Sequence, residues 1–176
     1  QALQRLDRET SGVVLFSLDK HVQPAFDALV AARGPAGMRK RYLAVVSGRF
    51  PADLHAIEAP IGRDRHDSRR MRVSATGKPA RTRIRLVAVR TRRLACSLLS
   101  VELDTGRRHQ IRVHLASRGF PLMGDALYGG SHLEMRLMLH AVEESFTHPI
   151  THDPVCITSP IPPRFLRLFP QVTPRS

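Results

Sequence analysis

An α+β domain, with a mixed and mainly antiparallel sheet flanked by helices and loops, is the fold class this sequence predicts. Three observations lead there. Apolar segments of strand character outnumber those of helical character. The connections between them are mostly short and turn-like, the kind that join antiparallel neighbours. The chain has 176 residues, enough for one domain with a sizeable core, and no internal repeat or low-complexity tract divides it. Residues 1–176 are therefore read as a single domain.

The elements follow in order. "VVLFSL" (Val13–Leu18) is short, apolar and β-branched at its start, which predicts a buried strand. Asp19 is placed to cap a helix in which Val22, Phe26, Leu29 and Val30 recur at helical spacing. Pro24 falls in its first turns, where a missing N–H is tolerated, and Gly34 and Pro35 end it. "RYLAVVSG" (Arg41–Gly48) is the next strand. From Phe50 to Val73 the chain is punctuated by Pro, Gly and Asp, predicting an exposed loop or short hairpin crowded with Arg63, Arg65, Arg69, Arg70 and Arg72. "ARTRIRLVAV" (Ala80–Val89) alternates, with Ile84, Leu86 and Ala88 on one face and Arg83 and Arg85 on the other.

"LACSLLSVEL" is another strand, with Cys96 inside. A glycine turn leads into "HQIRVHLASRG", a short helix that pairs Ile111 with Leu115 on one face, puts Arg108 and Arg112 on another, and ends at Gly119. "FPLMGDALYGG" is a turn-rich loop and "RLMLHAVEESFTHP" a closing strand. The Pro-rich tail from Pro160 is expected to wrap the surface.

Lys and Arg total 28 against 15 Asp and Glu, a formal charge of +13. Such an excess favours a polyanionic partner, because each neutralised phosphate releases counterions. Arg predominates, and its planar fork suits phosphates and stacks on bases. Nucleic acid fits better than a membrane surface, since no apolar run approaches a membrane span and no basic amphipathic helix stands out. The two cysteines, Cys96 and Cys156, form neither a metal motif nor a disulfide framework, which points to a reducing, cytoplasmic setting. There is no P-loop, no dinucleotide-binding glycine trio, no histidine pair on one helical face and no Gly-x-Ser-x-Gly elbow. An enzyme on this chain is expected to need no cofactor and no metal.

"QRLDRETSG" (Gln4–Gly12) sets Asp7 between Arg5 and Arg8. Taken alone, Asp7 reads as well as a surface ion pair as a catalytic carboxylate. Tyr42 by itself reads as a core strand residue, and Arg112 as a solvated helix arginine. Arg107 and Arg108 fit phosphate contacts or solvated charges. His109 and Gln110 fit RNA contacts or loop positioning. Glu9 reads as solvated, and Gly124, Asp125 and Tyr128 as turn formers.

Three segments change that balance. "QRLDRETSGVVLFSLD" resembles the active-site motif of the RluA family of pseudouridine synthases, in which His usually stands at the position of Gln4. "RKRYLAVVSG" looks like that family's second motif, and "TGRRHQIRVHLASRGFPLMGDALYGG" its third. "TGKPARTRIRLV" and "RLMLHAVEESFTHP" add weaker matches in family order.

The resemblance implies an enzyme that isomerises uridine to pseudouridine in ribosomal or transfer RNA, without a cofactor. Asp7 would be its catalytic carboxylate, Tyr42 the aromatic that stacks on the flipped base, and Arg112 the partner of the acid. Arg5 would enter the RNA helix where the base was, and Arg107, Arg108, His109 and Gln110 would be RNA-binding candidates. A carboxylate beside guanidinium groups is held charged, ready to serve as nucleophile or base, and a Tyr ring offers a flat face to a pyrimidine. Family members carry further strands ahead of the first motif, so the resemblance also implies an N-terminally truncated catalytic domain. A monomer acting in the cytoplasm on RNA is expected. The competing reading is a non-catalytic RNA-binding module that retains the fold.

Overall fold

A computed structural model describes residues 1–32, 34–132 and 134–173. Among these residues, seven strands form one sheet and two more a separate hairpin. The sheet takes β1 (Ser11–Gly12), β2 (Arg39–Ser47), β3 (Ala56–Glu58), β6 (Arg81–Arg90), β7 (Cys96–Leu103), β8 (Leu139–Thr147) and β9 (Pro154–Thr158). Its order is β1-β8-β2-β7-β6-β3, with β9 also pairing β8. Among the described residues only the β1–β8 pair is parallel. The mixed, mainly antiparallel sheet expected from the sequence is the sheet observed.

Strand periodicity divides the core. Along β2, Tyr42, Ala44 and Val46 face one way and join Leu99 and Val101 of β7 and Ile111 and Leu115 of α2 (Gln110–Ser117). Leu43 and Val45 face the other way, with Cys96, Leu98 and Val142. Burial on both faces explains why these strands read as nearly continuous apolar runs.

Three expectations need correction, and one strand was not foreseen. "VVLFSL" is not a strand. Only Ser11 and Gly12 pair with β8, Val13 follows with one further bond to Ala141, and Phe16 and Leu18 are exposed. The parallel contact is set by Gly12, whose φ of +124° and close approach to the Ala141 backbone leave no room for a side chain. Second, the alternation of β6 breaks at a bulge between Leu86 and Ala88. The extra residue turns Ala88 toward the opposite face from Ile84 and Leu86. Third, the tail does not merely wrap the surface. The short α3 (Pro163–Leu166) and the turns after it bury Phe165, Phe169 and Val172 against the second face. The strand not foreseen is β9. It is mostly exposed and held through its backbone ladder to β8.

The predicted helix is α1 (Gln23–Ala31), with Pro24 in its first turn. The basic stretch resolves into β3 and a hairpin of β4 (Ile61–Arg63) and β5 (Met71–Val73). That hairpin leans on α2, a position that matters for the site.

Candidate active site

"DRET" forms a turn closed by the Thr10 N–H donating to the Asp7 carbonyl at 2.9 Å. Arg8 and Glu9 occupy its exposed corner, and Asp7 is left at its base. The next residues anchor the turn. The Ser11 hydroxyl pairs with His140 Nδ1 at 2.9 Å and accepts a hydrogen bond from Arg164 at 2.6 Å. Gly12 then lies against β8. The motif thus reads physically as a carboxylate on a turn that is fastened to the sheet one strand away.

Across from it, "TGRRHQIRVH" starts α2. Gln110 is 2% exposed. Its Oε1 accepts from the Thr105 hydroxyl and the Arg107 N–H, and its Nε2 donates to the Arg81 carbonyl and the Thr82 hydroxyl. Its amide capacity is spent inside the protein, so of the two readings open for Gln110 the geometry carries loop positioning. His114 continues the chain: Nε2 donates to the Ala59 carbonyl at 3.0 Å, and Nδ1 meets the Thr82 hydroxyl at 2.8 Å. Burial holds its imidazole below the usual pKa.

Arg112 departs most from what its neighbours in sequence suggest. It is not solvated but 3% exposed. Its Nε and Nη2 grip Asp125 in a two-pronged pair at 2.8 and 2.7 Å. Nη1 stands 3.8 Å from Asp7 Oδ2, and Nη2 lies 3.5 Å from Glu9. Burial pulls the guanidinium pKa down, but Asp125, Asp7 and Glu9 more than offset this and raise it. Asp125, fully buried, also caps its own loop by accepting the N–H groups of Leu127 and Tyr128. The "GDALYG" stretch is therefore a turn and more than a turn: it supplies the counter-charge that aims Arg112 at Asp7. Gly124 makes the bend possible, with φ of +73° and the Met135 and Arg136 carbonyls where a side chain would be. The sequence signal for Asp125 was its fixed place in the third motif, which has no local pattern of its own.

Tyr42 presents its ring beside the same turn from β2 and is 7% exposed. Burial first, then the nearby charges of Glu144 and Asp7, push its hydroxyl pKa well above the usual range, so the hydroxyl keeps its proton. Behind it, Lys40 and Glu144 face each other across β2 and β8, and the Gln4 amide donates to Glu144. Burial raises the Glu144 carboxyl to about 7, against the opposing pull of Lys40 and Gln4.

Asp7, Tyr42 and Arg112 line one cleft of about 980 Å³, with Arg5, Arg107 and Arg108 on its lining as well. Arg5 and Arg108 are exposed. Arg107 and Arg108 donate to the backbone carbonyls of Pro79, Ser68 and Arg69 rather than to carboxylates, which leaves their charge available to an anion. His109 enters from the start of α2, with Nε2 at 3.9 Å from Asp7 Oδ1.

Known proteins resemble this chain in sequence and in fold. The family model for RNA pseudouridylate synthases matches residues 1–117. An uncharacterized RNA pseudouridine synthase of Chloroflexus aurantiacus is 44% identical over 163 residues, covering 91% of this chain and 49% of that protein. A ribosomal large subunit pseudouridine synthase D of Neisseria meningitidis is 37% identical over 174 residues, covering 91% of this chain and 45% of its own length. The chain spans about half the length of the curated relatives it matches. Among solved structures, human RNA pseudouridylate synthase domain containing 1 superimposes with a TM-score of 0.77 at 26% identity, covering 92% of this chain and 69% of that one. With the family model matched over most of the chain and the motifs gathered around one cleft, the chain belongs to the RNA pseudouridylate synthase family.

Proposed function

We propose that this chain isomerises uridine to pseudouridine in RNA, with Asp7 as the catalytic carboxylate. The observation that carries the reading is the convergence of Asp7, Arg112 and Tyr42 on one basic-rimmed cleft from three separate segments. The reaction is a net isomerisation. It detaches uracil from its sugar, turns it and rejoins it through carbon, so it asks for an anion near the sugar, a platform for the base and a way to extrude it. Asp7 supplies the anion, oriented by Arg112. Tyr42, with its proton retained, supplies a stacking face rather than a base. The cationic rim of Arg5, Arg107 and Arg108 offsets the few kcal/mol that unstacking a nucleotide costs. Because relatives are named for the large ribosomal subunit, ribosomal RNA is the substrate proposed here, which would place the protein in the cytoplasm.

The test is to incubate wild type and Asp7→Asn with large-subunit ribosomal RNA and map pseudouridine chemically. Wild type is expected to modify the RNA, and Asp7→Asn to lose on the order of 10⁴-fold in rate while still binding RNA. Equal modification by both removes Asp7 from the reaction. Binding without any modification by wild type, on ribosomal or transfer RNA, favours a non-catalytic module.

A further inference from the structure

His109 is the N-cap residue of α2 and has φ of 57°. A non-glycine residue in this left-handed region is uncommon, and such conformations concentrate at functional sites. Here the side chain is 10% exposed and its imidazole bridges two partners. Nε2 stands 3.9 Å from Asp7 Oδ1, and Nδ1 lies 2.7 Å from the Tyr128 hydroxyl. That hydroxyl in turn accepts the Met71 N–H of the basic hairpin at 2.8 Å. The His109 and Tyr128 rings meet edge to face at 5.6 Å, and the guanidinium groups of Arg70 and Arg112 lie 5.4 and 5.2 Å from the Tyr128 ring centre.

Counting protons selects one arrangement of this chain. If Tyr128 donates to Nδ1, then the Met71 N–H, the Tyr128 O–H and Nδ1 are all paired, and the proton on Nε2 faces the Asp7 carboxylate. If Nδ1 carries the proton instead, the nearly buried Tyr128 O–H has no acceptor within this group. The lone pair on Nε2 would then face a carboxylate oxygen. An unpaired buried donor and two opposed acceptors both cost free energy. Burial also holds His109 below its usual pKa. Asp7 works against this, Arg112 and Arg108 reinforce it, and Asp125 opposes it.

We propose that His109 is a positioning residue for Asp7: a neutral imidazole, fixed as the Nε2–H tautomer by Tyr128, that orients Asp7 from its Oδ1 side while Arg112 stands at Oδ2. The inference rests on the reading of Asp7 as the reacting carboxylate. A separation of 3.9 Å is longer than a hydrogen bond, and contacts of this kind tighten in the substrate complex. The basic hairpin takes part through the Met71 N–H.

Two measurements test this on the intact protein. Histidine ¹⁵N spectra of wild type are expected to show His109 with Nδ1 bare and Nε2 protonated, and Tyr128→Phe is expected to mix the tautomers. In single-turnover assays on ribosomal RNA, His109→Ala is expected to lower the rate on the order of 10²-fold, the cost of a misplaced reacting group, with RNA affinity unchanged. His109→Gln, which restores an N–H donor, is expected to recover most of that loss. A proton on Nδ1 in wild type, or a His109→Gln variant no faster than His109→Ala, overturns the proposal. A wild-type protein that makes no pseudouridine overturns the functional reading. One that makes it, with His109→Ala at the wild-type rate, overturns this inference alone.

Discussion

The two faces of the central sheet are built from the same strands and do opposite work. On one, Leu43, Val45, Leu98 and Val142 lie under Phe165, Phe169 and Val172, an apolar layer sealed by the end of the chain, with the His140 ring beside Phe165. On the other, the apolar layer runs from Ile84 and Leu99 to Ala141, but at its margin come Tyr42, Arg112, Asp125 and Asp7. The sealed face contributes burial free energy and little direction. The open face holds buried charge, which is costly unless each group is paired, and it meets that cost with the two-pronged Arg112–Asp125 bond. The difference teaches that the proposed chemistry sits on the face whose buried charges must be paired, with the packing of the other face behind it.

Substitutions can break that division of labour or sharpen it. The largest combined effect is expected from Asp125→Asn. It leaves the Arg112 guanidinium buried without its counter-charge and lets it turn from Asp7. Chemical denaturation should show a loss of about 3–5 kcal/mol, and pseudouridine formation should fall with it. Phe165→Ala, on the sealed face, should cost a similar or slightly smaller 3–5 kcal/mol by leaving a cavity. Below its unfolding transition its single-turnover rate should match wild type. A large rate loss in that folded variant would show that the two faces are not separable.

Glu144 lies between these extremes, 1% exposed yet next to the cleft. Its folded carboxyl titrates near 7, above the ordinary 4.5. The folded state therefore keeps a proton that the unfolded chain releases. The stability this contributes is fully present below pH 4.5 and is lost as the pH rises through 7. Glu144→Gln should flatten that decline by up to about 3 kcal/mol, seen by comparing urea midpoints at pH 5 and pH 8. The smallest effect is expected from Tyr42→Leu, which keeps bulk and loses the flat ring. Stacking worth about 1–3 kcal/mol should disappear from the rate, with RNA affinity nearly unchanged. A loss of affinity larger than the loss of rate would take Tyr42 out of the pocket.

Much of this architecture was legible in the sequence because it depends on local rules. Apolar runs marked β2 and β7 as strands, and alternation placed Ile84 and Leu86 of β6 on one face. Gly34 marked the end of α1 and Gly119 that of α2. The three motifs singled out Asp7, Tyr42 and Arg112 together. Where the reading failed, a distant partner had decided. "VVLFSL" has the composition of a strand, but past Val13 it makes no further ladder pairs with β8, so it leaves the sheet. Ala88 kept its alternation in sequence and lost it to a one-residue bulge. The motif picked out Arg112 but not its counter-charge, because nothing within four residues could neutralise it; Asp125 does so from thirteen residues away. Gln110, placed among RNA contacts, is occupied by Thr105, Arg107, Arg81 and Thr82.

By itself, then, the sequence determined the class of fold, the basic character of the chain and the motifs on which the family resemblance rests. Each is written in composition, periodicity or spacing along the chain. Only the tertiary structure decided which side of the sheet is open, which acid holds Arg112 and which way the His109 proton points. Those depend on groups far apart in sequence that share one low-dielectric site, where each charge and each hydrogen bond is settled by all the others at once.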